Sequence, residues 1–208
     1  MDAGPDPRAV EQALATYYDQ EAEDRAGRSL DPNRVAARTK FLDLLDGRRP
    51  TLLEVGTGPG RDSAAFVTAG LSVTGVDLSI EHAARAGSVG AETLLASARM
   101  LPFRKGAFGA LWTMSTLMHV PNNAIEATLD ELHRVLAPSA LAAVGVWGGP
   151  DVETYHDDDA FDPPRLFSRR SDDRWRSLLG IVGSVEEFAT WERTDDAFWY
   201  QWAVVRAS

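Results

Sequence analysis

The amino-acid sequence predicts an α/β fold: a doubly wound, seven-stranded sheet, mostly parallel, with an antiparallel C-terminal edge strand and helices on both faces. Three observations predict it. Short apolar runs alternate with helical periodicity from Thr51 to Trp147, the pattern of a parallel sheet covered on both sides. A glycine cluster closes the first of those runs at Gly56-Thr57-Gly58-Pro59-Gly60. Two late runs, Val185 to Trp191 and Phe198 to Arg206, lie close enough in sequence to pair antiparallel.

The elements follow in order. Residues 1–7 hold two prolines and a glycine and are expected to fray. Val10, Leu14, Tyr17 and Tyr18 carry helical spacing over Arg8 to Ala26. Asp31-Pro32 reads as a cap and first helical residue. That second helix runs to Leu45, buries Val35, Phe41, Leu42 and Leu45, and stops at Asp46-Gly47. Strands are expected at Thr51–Gly56, Leu71–Asp77, Glu92–Ala96, Phe108–Met114 and Leu141–Trp147. Helices are expected at Gly60–Ala69, Ser79–Ala86 and Asn123–Leu136, the last with Ile125, Leu129, Leu132 and Val135 on one stripe. Asp151 to Pro164 is acidic and turn-rich. Ser171 caps a further helix to Leu179, and Glu192 to Asp196 joins the last two strands.

Composition bounds the chemistry. Lys plus Arg number 21 and Asp plus Glu 31, a formal charge of −10. That field repels phosphate backbones and disfavours a general nucleic-acid binder. Cysteine is absent, which excludes disulfides, thiolate catalysis and cysteine zinc sites. Four histidines do not suggest a cluster, so no metal is expected. No secretory signal is visible at the N-terminus. The apolar runs fall short of the ~20 residues that span a bilayer. A cytoplasmic protein without membrane association is therefore expected, as a monomer or homodimer.

The strongest chemical signal is Glu54-Val55-Gly56-Thr57-Gly58-Pro59-Gly60 between a strand and a helix. Glycines there let backbone approach a ligand beneath helix N–H groups. The next strand ends at Asp77, whose carboxylate can accept both hydroxyls of a ribose. The dinucleotide fingerprint would need glycine where Arg61 stands, so a nicotinamide oxidoreductase fits poorly. The E-x-G-x-G-x-G run with its strand-end acid resembles the class I S-adenosylmethionine-dependent methyltransferases, whose fold is Rossmann-like.

Further segments carry that resemblance. Met100-Leu101-Pro102-Phe103 with Phe108 is similar to the family's L-P-F…F-D segment. Leu117-Met118-His119-Val120 resembles its loop after the fourth strand. Glu131-Leu132-His133-Arg134-Val135-Leu136-Ala137-Pro138 resembles its E-x-x-R-V-L-x-P helix end. Arg38-Thr39 is similar to a segment of the glycine N-methyltransferases, in which the arginine pairs with the cofactor carboxylate. Three positions depart from the family pattern. Ser97 stands where an aspartate often bonds the adenine amino group, Gly109 where an aspartate follows the phenylalanine, and Ser139-Ala140 where two glycines are common.

The resemblance implies one methyltransferase domain over 1–208. It comprises an N-terminal helical lid (1–50), a cofactor-binding core (51–150), and a substrate-side insertion with C-terminal hairpin (151–208). S-adenosylmethionine is the implied cofactor and S-adenosylhomocysteine its product. The expected cofactor residues are Tyr18, Arg38, Glu54, Gly56, Thr57, Gly58, Gly60, Asp77, Leu78, Ser97, Ala98, Arg99 and Ser115. Glu54 either reaches the cofactor amine or steadies the loop. His119 is the candidate general base. Tyr155, His156 and Arg165, with Phe161 and Phe167, are expected to line the acceptor site. The acceptor is expected to be a small molecule methylated at oxygen or nitrogen. A tRNA or RNA methyltransferase and a non-catalytic nucleoside-binding module are the competing readings.

Overall fold

Seven strands form the main sheet in the order β3-β2-β1-β4-β5-β9-β8 in a computed structural model, which describes residues 4–48, 50–192 and 198–208. These strands are β1 (Thr51–Val55), β2 (Ser72–Asp77), β3 (Glu92–Leu95), β4 (Phe108–Met114), β5 (Leu136–Gly148), β8 (Gly183–Glu192) and β9 (Trp199–Ala207). The first five run parallel; β9 pairs antiparallel with both β5 and β8. The antiparallel pair thus closes one end of the sheet, with the last strand lying one in from the edge. The expected link at Glu192 to Asp196 lies outside the described residues, apart from the backbone of Glu192.

Strand alternation sorts side chains onto two faces. Tyr200, Trp202 and Val204 of β9 join one core, while Ala203, Val205 and Ala207 join the other. The first core holds α2 (Pro32–Leu44) and α3 (Arg61–Thr68) through Phe41 and Phe66, which pack edge-on or tilted around Trp112 at 5.3–5.4 Å between centroids. The second holds α5 (Ile125–Val135) and α6 (Asp172–Leu179) through Leu129, Leu132, Trp175 and Leu179. Burying each large ring contributes about 1.5–3 kcal/mol. Helix α4 (Ile80–Ser88) packs on β2 and β3 and is capped by the Ser79 hydroxyl, which accepts from the His82 N–H.

Helix α1 (Pro7–Gly27) lies across the carboxyl end of the sheet and packs Val10 and Leu14 against Leu166. Its start is more ordered than the prolines suggest: Asp6 caps it, and Asn123 Nδ2 donates to Pro5 O. Asp19 ties it to α4, accepting from Ser79 Oγ and the Glu81 N–H.

The structure corrects several expectations. Val35 is exposed, because α2 buries the stripe of Ala37 and Phe41. Strand β5 begins at Leu136, five residues early. The register with β4 slips between Phe108 and Ala110, and Ser139 takes φ 62° within the resulting bulge. That left-handed turn is a conformation glycine adopts without strain, in keeping with the glycines the resemblance implied there. The acidic stretch holds a hairpin, β6 (Val152–Tyr155) against β7 (Leu166–Arg169). Gly109 has a steric reason, since a Cβ there would come within 2.8 Å of Pro50.

Candidate functional site

The glycine loop leaves β1 directly above the end of β2. Gly56 and Gly60 have φ 74° and 82°. A Cβ on Gly56 would fall 2.0 Å from Thr116 Oγ1, and one on Gly60 2.6 Å from Ala86 Cα, so both are fixed by packing. Gly58 differs: φ is 52°, and its missing Cβ would meet nothing within 4 Å. It faces a cavity of about 110 Å³.

Asp77 sits at the end of β2, 9% exposed. One carboxylate oxygen accepts from the Gly58 N–H at 2.8 Å and the other from the Ser79 N–H at 2.9 Å. These bonds aim the carboxylate into the cavity and leave lone pairs for further donors. Leu78, Ala98 and Arg99 line the same cavity with Gly56 and Thr57. The Thr57 hydroxyl and His82 Nε2 are buried without a hydrogen-bond partner among the described residues.

A carboxylate missed by sequence reasoning completes this end. Glu11 of α1 accepts from Ser97 Oγ and from Arg99 Nε at 2.9 Å, and it lines the cavity. The resemblance implied an aspartate at position 97; Ser97 stands there, and an acid arrives from 86 residues away. Ser97 itself does not line the cavity; it orients Glu11.

Other expected residues stand behind the wall. Glu54 is buried and accepts from Ser63 Oγ, so it steadies the loop rather than facing a ligand. Burial and the neighbouring Asp62 push its pKa up to about 8, which keeps it protonated at neutral pH. Arg38 is committed to Asp62 at 2.7 Å; Arg34, one turn earlier on α2, also pairs with Asp62 and lines the cavity. Burial opposes the charge on Asp62, but Arg34, Trp112 and Arg38 hold its pKa below the usual range. Gly60 caps α3 and does not line the cavity.

A second cavity of about 280 Å³ adjoins the first and shares Tyr18, Arg25 and Ser115 with it. Ser115 takes φ 59° at the end of β4, and its hydroxyl lies 3.0 Å from the Tyr200 hydroxyl. Strain of this kind gathers at functional sites. His156, Arg165 and Phe167 line the second cavity, joined by Trp147, Arg169 and Phe198. Tyr155 does not; it ends the outer strand of the hairpin and is 44% exposed. Phe161 packs on Tyr17 instead, 5.6 Å between centroids.

His119 stands at the junction, but not as a free base. Its Nδ1 donates to Leu166 O at 2.7 Å, which leaves Nε2 as the acceptor for the Tyr18 hydroxyl at 2.8 Å. Burial pushes its pKa down to about 3, so the ring is neutral. Its lone pair is already engaged, and the geometry makes it the holder of Tyr18. Arg170 fixes this loop from below, donating to Leu117 O, Val120 O and Ser168 O. Among the described residues no group of acidic or histidine side chains has the arrangement to hold a metal ion. No described helix is long and apolar enough to cross a membrane.

Comparison with known proteins agrees with this geometry. Residues 53–144 match the family described as Methyltransferase domain. An uncharacterized methyltransferase of Mycobacterium sp. (strain KMS) is 34% identical over 140 residues, 65% of this chain and 52% of that protein. The 2-methyl-6-phytyl-1,4-hydroquinone methyltransferase of Synechocystis sp. is 32% identical over 49% of this chain and 33% of its own. The chain thus spans between 33% and 59% of the length of the curated relatives it matches. The fold is shared with 1,6-didemethyltoxoflavin-N1-methyltransferase of Burkholderia thailandensis, solved with its substrate and S-adenosylhomocysteine: TM-score 0.78, 20% identity, 98% of this chain and 91% of that one. The glycine loop and the strand-end acid lie within residues 53–144, which match a methyltransferase domain, and the fold is the one these methyltransferases share.

Proposed function

We propose that this protein transfers the methyl group of S-adenosylmethionine to an oxygen or nitrogen of a small molecule. The observation that carries the reading is that two cavities adjoin, with Tyr18, Arg25 and Ser115 in the walls of both. The first is floored by the glycine loop and Asp77; the second, reached past Tyr18 and Ser115, is walled by α1 and the β6–β7 hairpin. The glycine loop, the Asp77 carboxylate aimed into the first cavity and the apolar Leu78 beside it support S-adenosylmethionine as its occupant. Asp77 accepts from the ribose hydroxyls, backbone at Gly56 and Gly58 allows close approach, and Leu78 packs on the base. Glu11 serves the amino edge of the adenine in place of the aspartate missing at position 97. Arg34, with Arg25, serves the carboxylate end of the cofactor in the role expected of Arg38.

The cofactor supplies a methyl group on a sulfonium, an already activated donor for in-line displacement. What remains for the chain is to hold the acceptor in line and exclude water. Tyr18 and Ser115 frame the passage between the cavities. The Arg165 Nη1 lies 3.4 Å from the Tyr18 oxygen, and the Tyr18 hydroxyl donates to His119. This chain fixes Tyr18 as a hydrogen-bonding group toward the acceptor.

The charge of −10 favours a small acceptor over RNA. Incubation of a metabolite extract with methyl-labelled S-adenosylmethionine tests the reading. Label in a low-mass product is the expected result. Label only in tRNA, or cofactor binding with no transfer to any pool, overturns it in favour of the RNA or non-catalytic reading.

A further inference from the structure

The Nε2 lone pair of His119 is engaged by Tyr18, so a proton leaving the acceptor needs another taker. The chain has four histidines. His82 and His119 are buried, and His133 donates from Nδ1 to Val182 O. His156 differs from all three: it lines the second cavity, and its side chain is 44% exposed. Its Nδ1 is buried without a hydrogen-bond partner among the described residues. The ring thus turns its Nδ1 edge inward and its Nε2 edge outward.

What lies inward is a carboxylate. The His156 N–H donates to Arg165 O at 3.0 Å, and its carbonyl accepts from the Asp159 N–H at 3.1 Å. That turn sets Nδ1 3.6 Å from Asp159 Oδ1. Asp159 is itself fixed, because Arg165 donates to it from its backbone N–H at 2.8 Å, from Nε at 2.9 Å and from Nη2 at 2.5 Å. Burial opposes the charge on Asp159, but these bonds and the facing imidazole hold its pKa below the usual carboxylate range. A carboxylate beside Nδ1 keeps the ring proton there and leaves the Nε2 lone pair free. It also stabilises the imidazolium that forms when Nε2 takes a proton.

The other polar side chains of this wall are unsuited to that task. Tyr18 donates to His119, and burial pushes its pKa up, which keeps the phenol protonated. The Ser115 hydroxyl is bonded to that of Tyr200. Arg25, Arg165 and Arg169 have no lone pair to offer.

We infer that His156 is the general base of the methyl transfer, oriented by Asp159, and that the acceptor atom carries a proton to lose, as a hydroxyl or an ammonium. This rests on the transfer to a small molecule proposed above. For a hydroxyl, the oxygen lone pair forms the bond to the methyl carbon as the carbon–sulfur bond breaks and its electron pair stays on sulfur. The hydroxyl proton passes to His156 Nε2, directly or through one water, and from there to solvent. For an ammonium, the proton leaves first and frees the nitrogen lone pair.

The test uses the full chain, methyl-labelled S-adenosylmethionine and a metabolite extract. It reads the initial rate at which label enters low-mass product, beside calorimetric titration with S-adenosylhomocysteine. His156→Ala should slow transfer about a hundredfold or more, while affinity for S-adenosylhomocysteine changes less than about twofold. Added imidazole should restore part of the lost rate, which a merely structural histidine would not allow. Asp159 faces the ring from its own loop, and Arg165, Arg169 and, from α1, Arg25 share the cavity wall with it. In the unaltered protein the rate should fall on the acid side as the base takes a proton. His156→Gln should lose that limb. Asp159→Asn should move it to lower pH, because the imidazolium loses its facing carboxylate. An unchanged rate in His156→Ala, a loss that imidazole does not restore, or label on a thioether sulfur overturns this inference alone. Absence of low-mass labelled product with the unaltered protein overturns the proposed transfer and this inference with it.

Discussion

The two sides of the cleft are assembled differently. The floor of the glycine-loop side draws on neighbouring segments, β1, the turn after it and the end of β2, with Asp77 only 19 residues from Gly58, and Glu11 and Arg34 reach its wall from α1 and α2. The hairpin side draws Arg25, Ser115, Trp147, Arg165 and Phe198 from separate segments spread along the chain. On the first side the floor is shaped by backbone, with positive φ at Gly56 and Gly58. On the second the wall is made of side chains. A backbone-built site constrains residue type at fixed spacings, so it reads as a motif. A side-chain site leaves each segment free to vary, which suits the half of a transferase that must fit its own acceptor.

Four experiments can break or sharpen that comparison. The junction should show the largest effect. With a pKa near 3 in the fold against 6.5 in the unfolded chain, neutral His119 contributes stability that is complete above about pH 6.5. It is lost as the pH falls toward 3, by several kcal/mol in all. Denaturant titration of His119→Gln should show a flatter acid limb over that window; an unchanged limb would place the ring in contact with water. Glu54 acts in the opposite sense, losing stability as the pH rises from 4.5 to about 8.

Replacing Asp77 by Ala should weaken S-adenosylhomocysteine binding by about a hundredfold, the loss of two charge-assisted bonds. Unchanged calorimetric affinity would remove the ribose from β2. Glu11→Gln should cost about tenfold in the same assay, through one weakened bond to the adenine edge. If it costs nothing, the lid contributes no recognition at that end and the comparison becomes sharper still. The smallest effect should come from Ser139→Gly, far from both cavities. Relief of the left-handed conformation should stabilise the fold by about 0.5–1 kcal/mol in chemical denaturation, with cofactor affinity unchanged.

Legibility in the sequence followed the same division. The strand and helix alternation, the glycine loop and Asp77 are local patterns, and each stands where its pattern predicted. The hairpin of β6 and β7 was hidden because its strands are four residues long and separated by an acidic turn. Arg38 and Arg34 share one face of α2 and one partner, Asp62, and only the tertiary arrangement decides which of them reaches the cavity. Glu11 could not be read at all, since nothing near Ser97 announces an acid supplied by a distant helix. His119 was visible as a residue, but its role depends on the Leu166 carbonyl and on burial, which no local spacing encodes.

Helix α1 has one more property. Glu11, Tyr18 and Arg25 are each seven residues from the next, two turns of helix, or about 10 Å of rise at a time on nearly the same face. The helix is therefore a graduated ruler laid along the cleft, with its first mark in the first cavity and the next two where the cavities adjoin. Inserting one residue between two marks would turn the later ones by about 100° and take them off the cleft, although every side chain would still be present.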